Sequence, residues 1–243
     1  MANSIKVTDL CAGYGAVQVL NQVALSVGDG ETVTLLGTNG NGKSTLIKSI
    51  MGIVRPTSGK VEAEIDGKVH NLVGKTPEEI VRLGVALVPE GRRLFPKLTV
   101  EENLLLGAYR DEARARIAEN LDFCYQAFSR LAERRNQLAG SMSGGEQQMV
   151  ALARAVMTAP KILLIDEPSV GLAPILVSRT IEKIGELKEK FKLTVLMAEQ
   201  NFHQAVKIAD RGYVIVHGHI EFEGKSREDM ANNEMIKKLY LGI

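Results

Sequence analysis

Hydrophobic and polar residues alternate over the first part of the chain. Between Ile5 and Val27 the apolar side chains recur at about every second position, which predicts two strands of a half-buried antiparallel sheet. The same pattern returns at residues 61–73 around Asp66 and Gly67, a pair that is typical of a hairpin turn. We therefore expect a small antiparallel sheet in the N-terminal part.

Short, uninterrupted apolar runs predict a second sheet. The runs at 31–37, 84–89 and 161–166 are apolar enough for strands that are buried on both faces. Helix-like segments separate these runs, as they do in parallel α/β units. Further strands are predicted at 193–199, 212–217 and 219–223, and helices at 43–51, 77–83, 174–190, 201–209 and the end of the chain.

The pattern changes between Thr99 and Met157, where charged residues are frequent and the apolar positions follow a helical period. We predict no strand there. The sequence thus indicates an α/β protein whose parallel-sheet core is interrupted by a helical lobe. We place the core and its antiparallel β-subdomain at residues 1–91 and 159–243, and the helical subdomain at 92–158.

Composition narrows the class of protein. With 45% hydrophobic and 24% charged residues, the chain has the balance of an ordinary soluble globular protein. The net charge of +1 gives no support to a nucleic-acid partner, which usually requires a basic face. Cys11 and Cys124 lie too far apart for a metal or redox motif, and we expect both to be reduced. We expect no secretory signal, and the apolar runs are too short to cross a membrane.

The sequence GTNGNGKS, from Gly37 to Ser44, matches the P-loop pattern in full. Its glycines let backbone N–H groups converge on an anion, and the helix that follows adds its positive end. A glycine-rich turn could match the pattern by chance, but the strand before it and the helix after it favour a phosphate site. The residues expected to bind the nucleotide here are Gly37, Asn39, Gly40, Asn41, Gly42, Lys43, Ser44 and Thr45.

Two acids end the apolar run at 161–166 and could complete this site. A buried strand that ends in acids is costly unless the acids face a cation or a cleft. Asp166 could hold Mg²⁺ together with Ser44, and Glu167 could polarise the attacking water. A simple helix-capping role for these acids is the alternative, and the P-loop argues against it.

A second helix start carries the sequence SGGEQQ, from Ser143 to Gln148. Ser143 and Glu146 form a capping box, which explains them structurally. That explanation leaves out Gly144 and Gly145, because each glycine in a first turn should cost up to about 1 kcal/mol. The glycines make physical sense if a phosphate must approach the backbone.

At this point the sequence resembles the ABC ATPase family, and the resemblance covers essentially all 243 residues. It implies a P-loop NTPase fold with a RecA-like core, and ATP and Mg²⁺ as cofactors. In that family two ATPase subunits pair head to tail, and the signature of one meets the ATP on the P-loop of the other. The resemblance therefore assigns Ser143, Gly144, Gly145 and Glu146 to the nucleotide of a second subunit, either a copy or a paralogue.

Other positions match the family one by one, with three departures. Tyr14 matches the aromatic residue that stacks on adenine, although packing on the β-subdomain would also explain a tyrosine there. Ala173 replaces an aspartate, Gln200 replaces the switch histidine, and Glu90 replaces a glutamine. Gln200 could still touch the γ-phosphate but cannot carry a proton. The Glu90 carboxylate is unfavourable near a triphosphate unless Mg²⁺ screens it or it faces the partner subunit. We expect hydrolysis to survive with altered gating.

The departures also resemble one subgroup, the smaller ATP-binding subunit of branched-chain amino acid importers. The segments that carry this resemblance are VPEGRRLFP at 88–96, GLAP at 171–174, AEQN at 198–201 and KLYLGI at 238–243. Relatives that serve urea or short amides look similar. The resemblance implies transmembrane permease subunits and, indirectly, an extracytoplasmic binding protein as partners, and a peripheral position on the cytoplasmic face of the plasma membrane.

The helical lobe is expected to meet the permease. Phe95 and Leu98 could border an apolar groove that receives a short helix of the membrane subunit. Two alternatives stay open at this level: a soluble ABC-type ATPase with no role in transport, and a regulatory subunit that binds ATP but hydrolyses it weakly. His203, close to Gln200, fits a helix-face role better than a shifted switch.

Overall fold

Two β-sheets organise the chain in the computed structural model, which describes residues 2–236. The KLYLGI segment at 238–243 lies outside the described residues. The strands are β1 (Ser4–Tyr14), β2 (Val17–Val27), β3 (Thr32–Leu36), β4 (Ser58–Ile65), β5 (Lys68–Asn71), β6 (Val85–Val88), β7 (Ile162–Asp166), β8 (Thr194–Glu199), β9 (Arg211–Val216) and β10 (His219–Gly224).

The first sheet is antiparallel, in the order β2-β1-β4-β5. Its alternating side chains place Ile5 and Val7 in the core while Lys6 between them is exposed, as the period of two predicts. Asp66 and Gly67 both have positive φ angles, 51° and 79°, at the turn between β4 and β5. Positive φ at both central residues is what a tight hairpin turn requires. The predicted N-terminal sheet and its hairpin are therefore confirmed.

The second sheet has the order β10-β9-β3-β8-β7-β6. Strands β3, β6, β7, β8 and β9 run parallel, and β10 pairs antiparallel with β9 at the edge. The carboxyl ends of β3, β7 and β8 therefore open onto the same edge of the sheet, where ligands bind in open α/β folds.

The helices are α1 (Lys43–Ile50), α2 (Pro77–Leu83), α3 (Val100–Leu105), α4 (Asp111–Arg114), α5 (Ile117–Ala127), α6 (Ser129–Glu133), α7 (Gly144–Val156), α8 (Pro174–Phe191), α9 (Phe202–Ala205), α10 (Arg227–Asn232) and α11 (Glu234–Ile236). The helix predicted at 201–209 is wrong in length, because α9 ends at Ala205. Asp210 and Thr32 exchange two hydrogen bonds of 2.8 Å, which turn the chain out of the helix and into β9.

Each face of the parallel sheet buries a different partner. Val33 and Leu164 face α1 and the antiparallel sheet, and these elements form one apolar core. Leu163 and Val195 face the helices that lie between β6 and β8, and these form the other core. Alternation along the strands thus clamps the sheet between two apolar layers, which fixes the strand ends that carry the site.

The segment between β6 and β7 is helical, with only an isolated bridge between Thr99 and Leu138 as β-structure among the described residues. The buried side chain of Asn103 fixes the start of this helical segment. This amide accepts a hydrogen bond from the backbone N–H of Phe95 and donates to three carbonyls, those of Phe95, Leu98 and Thr99. The loop after β6 is therefore held against the first helix of the segment.

Candidate nucleotide-binding site

The loop between β3 and α1 forms an open cradle. Gly40 and Gly42 have φ angles of 82° and 101°, a region that only glycine enters freely. Gly42 is the N-cap of α1 and provides no side-chain cap, so the first amides of the helix are available to an anion. Next to them is a hollow of about 270 Å³, here called the phosphate hollow, lined by Val19, Gly40, Gly42, Lys43, Ser44, Thr45 and Glu167.

Three other P-loop residues do not line this hollow. Gly37 packs closely on β9, since a Cβ there would lie 2.8 Å from the carbonyl oxygen of Ile215. Asn39 is exposed. The buried amide of Asn41 points away, donating to Thr38 Oγ1 at 2.7 Å and accepting the backbone N–H of His217 at 2.9 Å. Asn41 therefore ties the loop to the β9–β10 turn, a role that the motif does not reveal.

Asp166, the last residue of β7, lies against the start of α1. Ser44 Oγ donates a hydrogen bond of 2.9 Å to Asp166 Oδ1. Burial raises the pKa of Asp166 to about 6; the Ser44 bond lowers this pKa, and the nearby charges of Glu167 and Glu90 raise it. A cation at these oxygens would relieve the buried charge, and a carboxylate beside a hydroxyl is a donor set that suits Mg²⁺.

A buried ion pair spans the phosphate hollow. Lys43 Nζ lies 2.8 Å from Glu167 Oε1, and it also donates to the carbonyl oxygens of Gly37 and Thr38 at 2.7 and 3.2 Å. Glu167 has a φ of 47°, and its N–H donates to Ala198 O at 2.9 Å. This tight turn after β7 directs the carboxylate at the lysine. Phosphate oxygens entering the hollow would compete with Glu167 for the ammonium group.

The second helix start lies in different surroundings. Ser143 and Glu146 form the predicted capping box: Glu146 Oε2 accepts the N–H of Ser143 at 3.0 Å, and Ser143 Oγ accepts the N–H of Glu146 at 3.4 Å. A Cβ on Gly144 would lie 3.3 Å from the Arg92 guanidinium, and one on Gly145 would lie 2.8 Å from Leu176. None of the four predicted signature residues lines the phosphate hollow.

The remaining predicted site residues, Tyr14, Glu90 and Gln200, do not line the phosphate hollow. Tyr14 is half exposed at the end of β1, opposite Val17, so its ring is open to solvent and is not packed into the core. Glu90 is exposed and acts on Asp166 through its charge, without a hydrogen bond to it. Gln200 is exposed at the end of β8. It lines a separate hollow of about 470 Å³ with Ser169, Val170, Asn201, Phe202 and His203.

Two residues near the site were not predicted. Glu199 is fully buried and accepts three backbone N–H groups from the loops after β7 and β8. The signal that identified Asp166, an acid at the end of an apolar strand, applies equally to Glu199. Arg92 has a φ of 66° and reaches the carbonyl oxygens of Val170 and Gly171 at 3.5 and 3.4 Å. No sequence pattern indicates that contact.

A family model described as ABC transporter matches residues 20–170, more than half of the chain. The chain belongs to the ABC transporter family. It is 44% identical to the "High-affinity branched-chain amino acid transport ATP-binding protein BraG" of Pseudomonas aeruginosa, over 94% of this chain and 95% of that protein. It is 34% identical to the "Probable branched-chain amino acid transport ATP-binding protein LivF" of Archaeoglobus fulgidus, over 98% of this chain and 99% of that protein.

Solved structures agree with the family. A nucleotide-free ATP-binding cassette from an ABC transporter matches 99% of this chain and 100% of its own, with 27% identity and a TM-score of 0.83. A dimeric cassette in a post-hydrolysis state, bound to ADP and Pi, matches 91% of this chain and 98% of its own, with 26% identity and a TM-score of 0.75. The expected fold is confirmed, and this member of the ABC transporter family is a nucleotide-binding, ABC-type ATPase.

Proposed function

We propose that this ABC ATPase powers an importer for branched-chain amino acids, as one of two ATP-hydrolysing subunits. The supporting observation is a phosphate hollow, with its lysine and acids, in a chain whose signature helix start lies outside that hollow. Relatives along nearly the whole chain are named for branched-chain amino acid transport.

We assign the site residues as follows. The amides of the loop and Lys43 hold the phosphates, Ser44 and Asp166 would hold Mg²⁺, and Tyr14 stacks on the adenine. When bound, the ion supplies charge neutralisation on the phosphates. Glu167 leaves its pairing with Lys43 and accepts a hydrogen bond from the water that attacks the γ-phosphorus. Gln200 contacts the γ-phosphate, and Glu90 lies beside the metal position.

The signature residues Ser143, Gly144, Gly145 and Glu146 serve the ATP of a second subunit in a head-to-tail dimer. This assignment is supported by the start of α7, which has a capping box and two glycines in its first turn. None of these residues lines the phosphate hollow. The dimeric state of one similar cassette is in agreement. The second subunit is a paralogue or a copy, and residues 92–158 form the subdomain that presents the signature.

The permease binds at an apolar groove of about 480 Å³, here called the coupling groove, on the side of the helical segment. Phe95, Leu106 and Tyr109 line it and are about half exposed. Leu98, which was predicted to border such a groove, is not among the residues that line it. The described residues include no helix that is long and apolar enough to cross a bilayer. The proposal puts the chain at the cytoplasmic face of the membrane, bound to the permease, and links it only indirectly to the extracytoplasmic binding protein.

The test is uptake by the reconstituted transporter. Glu167→Gln should reduce ATP turnover and leucine uptake by about 100-fold or more, since it removes the group that orients the water, while ATP binding is retained. Glu189→Gln, at an exposed glutamate of α8, is the matched control and should behave as wild type. Full turnover in Glu167→Gln would remove the role of that residue.

Substrate and role are tested in the same vesicles. Uptake of leucine, isoleucine and valine, with no uptake of urea or acetamide, supports the proposal. Uptake of an amide alone would contradict it. Strong ATP binding with negligible phosphate release by the wild-type complex would favour the regulatory alternative, for which Glu90 and Gln200 are the motivation.

A further inference from the structure

Glu199 joins the two loops that carry Glu167 and Gln200. It is the last residue of β8, and its side chain is 0% exposed. Its Oε1 accepts the backbone N–H of Ser169 at 3.0 Å. Its Oε2 accepts the N–H groups of Gln200 and Asn201 at 2.8 and 2.9 Å. One buried carboxylate therefore satisfies backbone groups from two separate parts of the chain.

The two loops leave neighbouring strands. In the sheet, Asp166 of β7 pairs with Ala198 of β8, so Glu167 and Glu199 each follow a paired position. The N–H of Glu167 is itself bonded to the carbonyl oxygen of Ala198. Both loops are thus anchored to the end of β8, the first by a backbone bond and by the Glu199 carboxylate, and the second by the same carboxylate.

We propose that Glu199 is a positioning residue for ATP hydrolysis, which holds the Glu167 loop and the Gln200 loop in one fixed relation. The proposal rests on the roles proposed above for those two side chains. The Glu199 carboxylate accepts its hydrogen bonds from residues 169, 200 and 201, not from the P-loop or the Ser44–Asp166 pair. Loss of the carboxylate should therefore slow the chemical step and leave ATP binding intact.

The chemistry of the carboxylate offers a selective variant. A carboxylate accepts at both oxygens, whereas a glutamine amide accepts at one end and donates at the other. In Glu199→Gln the amide oxygen can keep Gln200 and Asn201, but its NH₂ group then faces the N–H of Ser169. The variant keeps the size of the side chain and breaks one of the two loop attachments.

A purely structural role is the competing explanation, because any buried acid that is bonded to turn amides stabilises a fold. Glu31, a partly exposed acid that is also bonded to a turn amide, supplies the comparison. It accepts the N–H of Gly28 at 2.7 Å and pairs with Arg211, far in the sequence from both catalytic loops. Glu31→Gln should lower the melting temperature without changing kcat per folded molecule.

The experiment is a double-mutant cycle on the assembled ATPase, with kcat, KM for ATP and Tm measured for E199Q, Q200A, the double variant and E31Q. We expect E199Q to lower kcat about tenfold with KM within about twofold, since misplacing a reacting group costs turnover rather than affinity. The double variant should be less impaired than the product of the two single effects. Glu199→Asp, which keeps the charge, should recover part of the rate.

Wild-type kcat in E199Q, or full additivity with an impaired Q200A, would overturn the positioning role. A rise of KM in E199Q as large as the fall in kcat would also overturn the positioning role, because it would place the defect in ATP binding. Wild-type kcat in Q200A would refute only the role assigned to Gln200. The effect of Glu199 on Glu167 would then be measured by the single variant E199Q. Failures of the two proposals are therefore distinguishable.

Discussion

The starts of α1 and α7 both contain glycine, but they are capped in different ways. Glycine is the N-cap residue of α1 and occupies the first two positions of α7. The start of α1 has Gly42 as its N-cap, no side-chain cap, and the buried Lys43 as its first residue. The start of α7 has a complete capping box, formed by the exposed Ser143 and by Glu146, and no lysine in its first turn.

The difference shows which start can act alone. At α1 a cation, a hydroxyl and two acids converge within hydrogen-bonding distance in the pairs Lys43–Glu167 and Ser44–Asp166. At α7 the side chains bond to each other, and Glu146 also pairs with Arg134 at 3.2 Å. The first start therefore fits the proposed binding and chemistry, and the second fits the proposed contact with a partner's nucleotide.

Lys43→Ala, at the start of α1, should have the largest effect of the substitutions proposed here. It leaves the Glu167 carboxylate buried without its cation, so we expect the free energy of unfolding to fall by about 3 kcal/mol. ATP binding should be lost at the same time. Urea unfolding and binding of a fluorescent ATP analogue are the measurements, with the exposed Lys60→Ala as control. Unchanged stability would show that the ion pair contributes nothing.

Gly42→Ala and Gly144→Ala should have different consequences. At Gly42 a side chain meets a φ of 101° and the Leu20 side chain at 2.8 Å. We expect a loss of about 1–2 kcal/mol in stability, and weaker ATP binding. At Gly144 a Cβ meets only the flexible end of Arg92, so stability and ATP binding should be retained. Turnover of the assembled transporter should still fall roughly 10- to 100-fold, because the partner's phosphate can no longer approach.

The outcome for Gly144→Ala decides whether α7 acts on a nucleotide. Wild-type turnover with wild-type stability would leave the capping box as the whole function of this start. Thermal unfolding of the isolated chain and phosphate release by the complex provide the two readouts.

Ser143→Ala, which removes the hydroxyl of the cap, should have a smaller effect than the substitutions above. Thr76→Ala is its matched control, because Thr76 forms the same capping box with Glu79 at the start of α2. Both variants should lose about 1 kcal/mol of stability. Only Ser143→Ala should also reduce ATP turnover in the complex. Equal turnover in the two variants would contradict a role for Ser143 beyond the cap.

The smallest effect concerns pH. Burial disfavours the charged form of Glu146, but its hydrogen bonds with Ser143 and the charge of Arg134 hold its pKa below the ordinary value of 4.5. A depressed folded-state pKa stabilises the fold above the unfolded-state value, and this contribution disappears as the pH falls through the folded-state value. The stability difference between wild type and Glu146→Gln should therefore be present at pH 7 and shrink below about pH 4.5. Urea titrations across that range measure it, and a difference that is independent of pH would contradict the assignment.

The elements of the core follow from local pattern, and the contacts inside the site do not. Alternation in β1, the Asp66–Gly67 turn and the strand–loop–helix around Gly42 each depend on neighbouring residues, and each was predictable. The pairing of Lys43 with Glu167 joins residues far apart in sequence, although the motifs placed both at one sheet edge.

Residues that look equivalent in a motif diverge in the structure. Asn39 and Asn41 belong to the same loop, yet Asn39 is exposed while the amide of Asn41 is bonded to Thr38 and His217. The end of the helix at 202–205 also depends on a distant partner, since Asp210 is bonded to Thr32. Such partners become known only when the chain is folded.

The coupling groove has a consequence for the isolated subunit. Phe95 is 52% exposed and Leu106 49% exposed on one apolar surface, and such patches favour self-association. A net charge of +1 supplies little repulsion between copies. The isolated subunit should therefore self-associate as its concentration rises. A permease that covered the groove, as proposed above, would remove that tendency, so the yield of soluble ATPase would follow the amount of permease in the cell.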